Sequence, residues 1–187
     1  VGASSLTSIE IPANVTSIGE SAFNNATSLT EITFKAGSKL TSIGSRAFSY
    51  VIILTITIPE GVTSIENLAF QGAASMTSIT IPDSVISIGE SVFSNTTSLT
   101  SITIGQSNTS YKDISGVLFD SSGATLIAYP SGNTRTHYDI PEDVTSIGVT
   151  AFQYASRLTS ITMPSTMVSI GAYAFQSASK LTSITIP

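Results

Sequence analysis

Apolar and polar residues alternate in short bursts along this chain, and the bursts recur. In residues 181–187, "LTSITIP", an extended backbone puts Ile184 and Ile186 on one side and Ser183 and Thr185 on the other. A period of two marks a strand buried on one face. Six of the seven prolines (Pro12, Pro59, Pro82, Pro141, Pro164 and Pro187) directly follow such a burst. A residue without an N–H ends ladder pairing there and turns the chain. Pro130 does the same after "LIAY". A second short extended piece, "VTSIG", comes next, with Val and Ile inward. Gly19, Gly44, Gly89, Gly148 and Gly171 then suit a tight corner with φ > 0, although Glu66 fills that column once. "ESAF" and its relatives close the unit as one tight helical turn, with Ala inside and Phe as the large core wedge. No segment is long enough for an amphipathic helix.

These pieces form an internal repeat. "IPDSVISIGESVFSNTTSLTSIT" begins at Ile81, "IPANVTSIGESAFNNATSLTEIT" at Ile11 and "MPSTMVSIGAYAFQSASKLTSIT" at Met163. One column holds Phe23, Phe48, Phe70, Phe93, Phe119, Phe152 and Phe175, at spacings of 25, 22, 23, 26, 33 and 23. The base period is therefore 23, with local insertions and one deletion. "YKDISGVLF" keeps the frame, since Ile114 and Phe119 stand five apart as Ile18 and Phe23 do. After it, "DSSGATLIAYP" adds residues, and apolar runs on either side of 120–123 predict a β-hairpin projecting from one coil. Residues 105–135 thus form an irregular coil inside a single domain, 1–187. The apolar run at 50–54 has the length of a strand.

One 23-residue unit cannot bury its apolar side alone, but stacked units align Ile over Ile and Phe over Phe. The expected fold is a mainly β repeat solenoid with parallel strands. About seven coils, each rising about 4.8 Å, make a rod on the order of 35 Å long.

The pattern L-x-x-I-x-I-P…V-x-x-I-G-x-x-A-F at this period resembles the BspA-like subclass of leucine-rich repeats. "LTSITIPDSVISIGESVF" and "GVLFDSSGATLIAYP" both carry the resemblance, which covers essentially the whole chain. It implies a right-handed coil stack, and a surface or secreted protein that adheres to host or neighbour molecules. The family often has Cys three residues after the Phe. Here that column reads Ala26, Val51, Ala73, Thr96, Ser122, Ala155 and Ala178, which leaves no thiol for a redox role.

Composition narrows the function classes. Apolar residues make up 41%, too many and too regular for disorder. Charged residues are only 10%, so solvation rests on hydroxyls and Asn. A net charge of −5 with seven scattered basic residues gives no basic face for nucleic acid. No apolar run approaches the length of a membrane span. With no Cys, disulfide frameworks, thiol nucleophiles and thiolate metal sites are excluded.

Little chemistry is written into the side chains. His137 falls on the solvent side of its strand beside Asp139, but no G-x-S-x-G elbow or oxyanion loop accompanies it. Asp139, Glu142 and Asp143 crowd one strand end without the D-x-D-x-D spacing of a Ca²⁺ loop. "SIGES" and "SIGSR" lack the lysine and long helix of a phosphate loop. Asn14, Asn25, Asn95 and Asn108 open N-x-S/T sequences that matter only in a glycosylating secretory pathway. No catalytic residue, metal site or cofactor is expected.

The outward strand columns are the main candidate. Reading down them gives Ser8/Glu10, Glu31/Thr33, Thr55/Thr57, Ser78/Thr80, Ser101/Thr103, His137/Asp139, Ser160/Thr162 and Ser183/Thr185. Short hydroxyls cost little entropy to order, and stacked Thr suits β structure. Specificity is expected from the departures Glu10, Glu31, His137 and Asp139, and from Tyr111, Lys112, Asp113 and Tyr129 on the hairpin. The reading is a non-enzymatic adhesion module, extracellular or on the cell surface, for a protein or glycan of a host, matrix or neighbouring cell. The runner-up is a structural solenoid that self-associates through uncapped ends into a filament or surface layer. Ice binding by the Thr rows and a hydrolase are more distant.

Overall fold

The computed structural model describes residues 3–185. Among them sixteen strands follow one another and no helix occurs. The N-terminal half holds β1 (Ser8–Ile11), β2 (Ser17–Ile18), β3 (Glu31–Phe34), β4 (Ser42–Ile43), β5 (Ser64–Ile65), β6 (Ser78–Ile81), β7 (Ser87–Ile88) and β8 (Ser101–Ile104). Three successive four-residue strands interrupt the repeat: β9 (Tyr111–Ile114), β10 (Val117–Asp120) and β11 (Thr125–Ala128). The regular pattern resumes with β12 (His137–Asp139), β13 (Ser146–Ile147), β14 (Ser160–Thr162), β15 (Ser169–Ile170) and β16 (Ser183–Thr185). The result is a mainly β parallel solenoid of about eight turns, one more than the phenylalanine column alone indicates.

Two strand columns run along the stack. In the first, β1 pairs with β3, β6 with β8, and β12 with β14 and β16, all parallel and in repeat register. In the second, the two-residue strands β2, β4, β5 and β7 set Ser over Ser and Ile over Ile. Threonine before each long strand has a structural use. The hydroxyls of Thr30, Thr100, Thr159 and Thr182 donate to the main-chain oxygens of Thr7, Thr77, Thr136 and Thr159, each 23 residues back, at 2.8–3.1 Å.

The core is a set of columns. Phe23, Phe48, Phe70 and Phe93 stack with ring centroids 5.4, 5.6 and 6.1 Å apart, an offset-stacking distance worth about 1 kcal/mol per pair beyond burial. Ile32, Ile56, Ile79 and Ile102 form a buried column beneath the strands. The last of these columns opens at Ile184, which pairs with Ile161 yet is 40% exposed. The expected inward Ile186 and strand-closing Pro187 lie outside the described residues.

The corner and the turn differ from expectation. None of the corner glycines has φ > 0 among the described residues; Gly44, Gly89 and Gly171 are needed because coils touch there, whereas a Cβ on Gly19 would meet nothing within 4 Å. A Cβ on Gly44 would lie 2.8 Å from the carbonyl carbon of Gly19, and one on Gly171 2.6 Å from that of Gly148. The left-handed residues come two positions later and two after the Phe, for example Ser21 (φ 55°) and Asn25 (φ 58°), Arg46 (53°) and Tyr50 (57°). A left-handed residue twice per turn breaks helical pairing, so the expected helical turn is a chain of tight turns.

The middle of the chain also departs. "YKDISGVLF" is not a coil in frame: β9 and β10 are antiparallel strands joined through Ser115 (φ 53°) and Gly116 (φ 82°), as a two-residue primed turn requires. β10 then pairs antiparallel with β11, which continues in parallel to β13 and β15. Phe119 therefore stands outside the aromatic column. Tyr129 takes the place, 5.1 Å from Phe152, which is 5.3 Å from Phe175. Ser122 likewise leaves the small-residue column for the hairpin turn. The hairpin does not project: Leu118 is buried in the N-terminal core, and Val117 and Phe119 in the C-terminal one. β10 is a wall with a core on each side.

Candidate functional site

The outward face is built by the strand alternation that buries the isoleucines. Register places Ser8 over Glu31 and Glu10 over Thr33, Thr57 over Thr80 over Thr103, and His137 over Ser160 over Ser183, with Asp139 over Thr162 over Thr185. Glu10, Glu31, Thr33, Thr57, Thr80, Thr103, His137 and Asp139 are exposed, and Thr162 is half-buried. The expected rows lie side by side within three separate groups: β1 with β3, Thr57 with β6 and β8, and β12 with β14 and β16.

Near the C-terminal end of this face, three side chains form one cluster. His137 Nε2 faces Asp139 Oδ1 at 2.8 Å, and Nδ1 faces Ser160 Oγ at 2.7 Å. A carboxylate only accepts, so Nε2 carries a proton, and in the neutral ring Nδ1 accepts from the serine hydroxyl. The Thr162 hydroxyl and the His137 ring hold the Asp139 carboxyl below its usual range. All this sits in open solvent, with side-chain exposures of 48% for His137 and 74% for Asp139. A serine nucleophile works beside a sheltered base and oxyanion donors, whereas this cluster is a solvated, hydrogen-bonded group on the strand face.

The hairpin residues expected to form a second contact region are used internally. Tyr129 is 4% exposed, and burial pushes its phenol up to about 12 against the opposing charge of Arg135. Tyr111 Oη accepts the Ile88 N–H at 2.8 Å, closing the second strand column where β7 has no following strand. Lys112 Nζ donates to the Ser122 carbonyl at 2.9 Å. Asp113 Oδ1 accepts the Ile104 N–H at 3.0 Å, and its Oδ2 the Gly116 N–H at 3.4 Å. These polar side chains satisfy backbone groups that an irregular coil leaves without ladder partners.

One feature of the face was not anticipated. The first column opens between β3 and residues 55–58, where a groove of about 870 Å³ is lined by residues 30–38 and by Leu54, Thr55, Ile56, Thr57, Pro59 and Glu60. The signal was in the phenylalanine spacings. Coil two carries extra residues around "KAGSK", giving 25, and coil three is one residue short, giving 22. Residues 50–54 are not a buried strand: Val51 and Ile53 point inward while Tyr50, Ile52 and Leu54 are exposed at 42, 39 and 61%.

Stacked parallel strands, a core of Leu, Ile and Phe columns and a polar outward face define a leucine-rich-repeat solenoid. The chain belongs to the BspA type leucine rich repeat region family, which it matches in six copies over residues 2–124 and 128–187. The unmatched residues fall in β11. No curated protein resembles the chain closely enough to count as a match. Among solved structures it is similar to the pneumococcal vaccine antigen PcpA, with a TM-score of 0.80 and 27% identity over 97% of this chain and 51% of that one. A leucine rich cell surface protein of Faecalibacterium prausnitzii A2-165 gives 0.65 and 34%, over 96% of this chain and 60% of that one. A leucine-rich repeat protein of Eubacterium ventriosum ATCC 27560 gives 0.76 and 23%, over 97% and 60%, and so supports the fold alone. The chain thus spans 51 to 60% of the length of these structures.

Proposed function

We propose that this chain is a non-enzymatic adhesion module, working outside the cell or at its surface, which binds a protein or glycan through its outward strand face. The observation that carries the reading is the register-locked array of exposed hydroxyls, punctuated by Glu10, Glu31, His137 and Asp139. Solenoids use such extended faces for binding because no single deep pocket is needed. The likeness to a protein described as a cell surface protein supports the location. Thr33, Thr57, Thr80, Thr103 and Thr162 supply the bulk of the face, and the charged departures supply selectivity.

The test is adsorption to an immobilised extracellular-matrix extract, followed by surface plasmon resonance. The double variant Thr80→Lys, Thr103→Lys should lose about tenfold or more in retention, since a buried mismatched charge costs well over 1.4 kcal/mol. Arg157→Glu, on an exposed turn away from the face, should bind as the parent does. Equal retention by both variants overturns the reading.

A further inference from the structure

We infer that the opening in the first strand column is a docking slot for an extended peptide of a partner protein, received as an additional strand between β3 and residues 55–58. This rests on the binding reading above and names the chemistry of one occupant.

One wall is the free edge of β3; the other, residues 55–58, is held on its far side by the isolated Thr57–Thr80 bridge. Among the described residues no backbone hydrogen bond joins β3 to residues 55–58. The two coils are tied on either side of the opening: before the strands by the Ile52 N–H to the Leu29 carbonyl at 3.3 Å, and beyond the corner by bonds that begin with the Thr63 N–H to the Thr41 carbonyl at 2.8 Å and continue through the β4–β5 pairing. Alternation fixes which groups face the slot. The Lys35 N–H bonds back to the Ile11 carbonyl, so Ile32 and Phe34, of opposite parity, turn their N–H and C=O toward the opening. By the same parity rule Thr55 and Thr57 present theirs from the other wall. Pro59 stands where Lys35 and Gly105 donate to the preceding coil, and it has no N–H to give.

Donors and acceptors at strand spacing on both walls call for another backbone. A glycan cannot supply alternating amide N–H and C=O groups at that repeat, whereas an extended peptide does so whatever its side chains. The groove volume of about 870 Å³ lies in the range of natural ligand sites. Side chains of the inserted strand would alternate as the walls do. Inward ones meet Phe34 and the exposed Leu54; outward ones lie among Thr33, Thr57 and Glu31. Glu31, with Glu10 in the adjoining coil, makes that mouth acidic, while Glu60 and Lys35 share the other. The occupant is therefore an alternating apolar and hydroxyl peptide with a Lys or Arg opposite Glu31.

A Thr-Val-Lys-Val-Thr-Val-amide carrying fluorescein on its N-terminal amine, titrated with the intact chain and followed by anisotropy, tests this. Saturable binding is expected, weakened about tenfold or more by N-methylation of alternate peptide amides, which removes ladder donors. Glu31→Lys, a surface change whose folding circular dichroism verifies, should weaken binding by several-fold. Amide exchange at Ile32, Phe34, Thr55 and Thr57 should slow in the peptide's presence. Equal binding of the N-methylated peptide, or unchanged exchange at those amides, overturns the slot. If no peptide binds while Thr80→Lys, Thr103→Lys still abolishes matrix retention, the slot is refuted and the face reading stands. If the matrix assay fails and the peptide binds, the slot stands alone.

Discussion

A repeat this plain conceals a backbone cost. Twelve residues other than glycine hold φ > 0 among those described, including the exposed Arg46 and the large Leu68 and Tyr173. Each costs on the order of 1 kcal/mol relative to right-handed backbone, and seven of them (Ser21, Asn25, Arg46, Tyr50, Leu68, Thr150 and Tyr154) are held by the same contact. The Arg46 N–H bonds to the Asn67 carbonyl and the Leu68 N–H to that of Glu90, one coil onward. Asn tolerates this region at little cost, while a β-branched side chain, as at Thr150, holds it at a higher one. Arg46→Asn should therefore leave the thermal midpoint unchanged or slightly raised, while Arg46→Val should cost about 1–2 kcal/mol. Equal midpoints for the two would show that Arg46 carries no strain. Nothing in the letters announced these positions, because Ser, Asn, Arg, Leu, Thr and Tyr all fill them. The backbone hydrogen bond to the next coil selects the conformation and leaves the side chain free.

At the scale of elements, the regular coils were legible and the irregular one was not. Period-two alternation located β1, β3, β6, β8, β14 and β16, and the small "SI" strands followed from the second apolar pair. His137 and Asp139 fell on the outward side as their place in "THYDIP" required. "YKDISGVLF" misled because Ile114 and Phe119 keep the five-residue spacing of a coil by coincidence. The better signal was "VLF", an unbroken apolar run, which indicates a strand covered on both faces. Tyr129 was misplaced for the same reason: with Phe119 assigned to the aromatic column, the true occupant was left over as surface. The wall itself can be tested. Leu118 is fully buried in the N-terminal core, and Leu118→Ala should cost about 2–5 kcal/mol in urea unfolding. A loss below about 1 kcal/mol would show that β10 does not close that core.

Part of the molecule's pH dependence arises in the same middle region and in β12 just beyond it. Burial alone would raise the Asp120 carboxyl, but the Thr125 and Gly123 N–H groups and the Ser122 hydroxyl bring it below the ordinary aspartate value. A depressed folded-state value means stability that is present above the unfolded value and lost as pH falls through the folded one. Burial pushes the phenols of Tyr129 and Tyr138 up to about 12. The unfolded chain releases those protons near 10, so their contribution is intact below pH 10 and lost as pH rises from about 10 to about 12. Tyr129 Oη has no hydrogen-bond partner. Tyr129→Phe should then be neutral or mildly stabilising at pH 7, and it should flatten the alkaline limb of a midpoint-against-pH curve. An unchanged alkaline limb would place the sensitivity elsewhere.

The two-faced strand β10 also bears on how such a chain grows. Apart from the side-chain bonds Ser94–Gln153 and Thr150–Ser91, which join the two arms directly, coils on either side of β10 touch their neighbours through hydrogen bonds that mostly span 23 residues. Duplication or loss of one such unit in the gene lengthens or shortens one arm and leaves the other arm's register intact. The wall serves as a fixed reference from which each arm can be edited separately, so reach and recognition can change on one side without refolding the other.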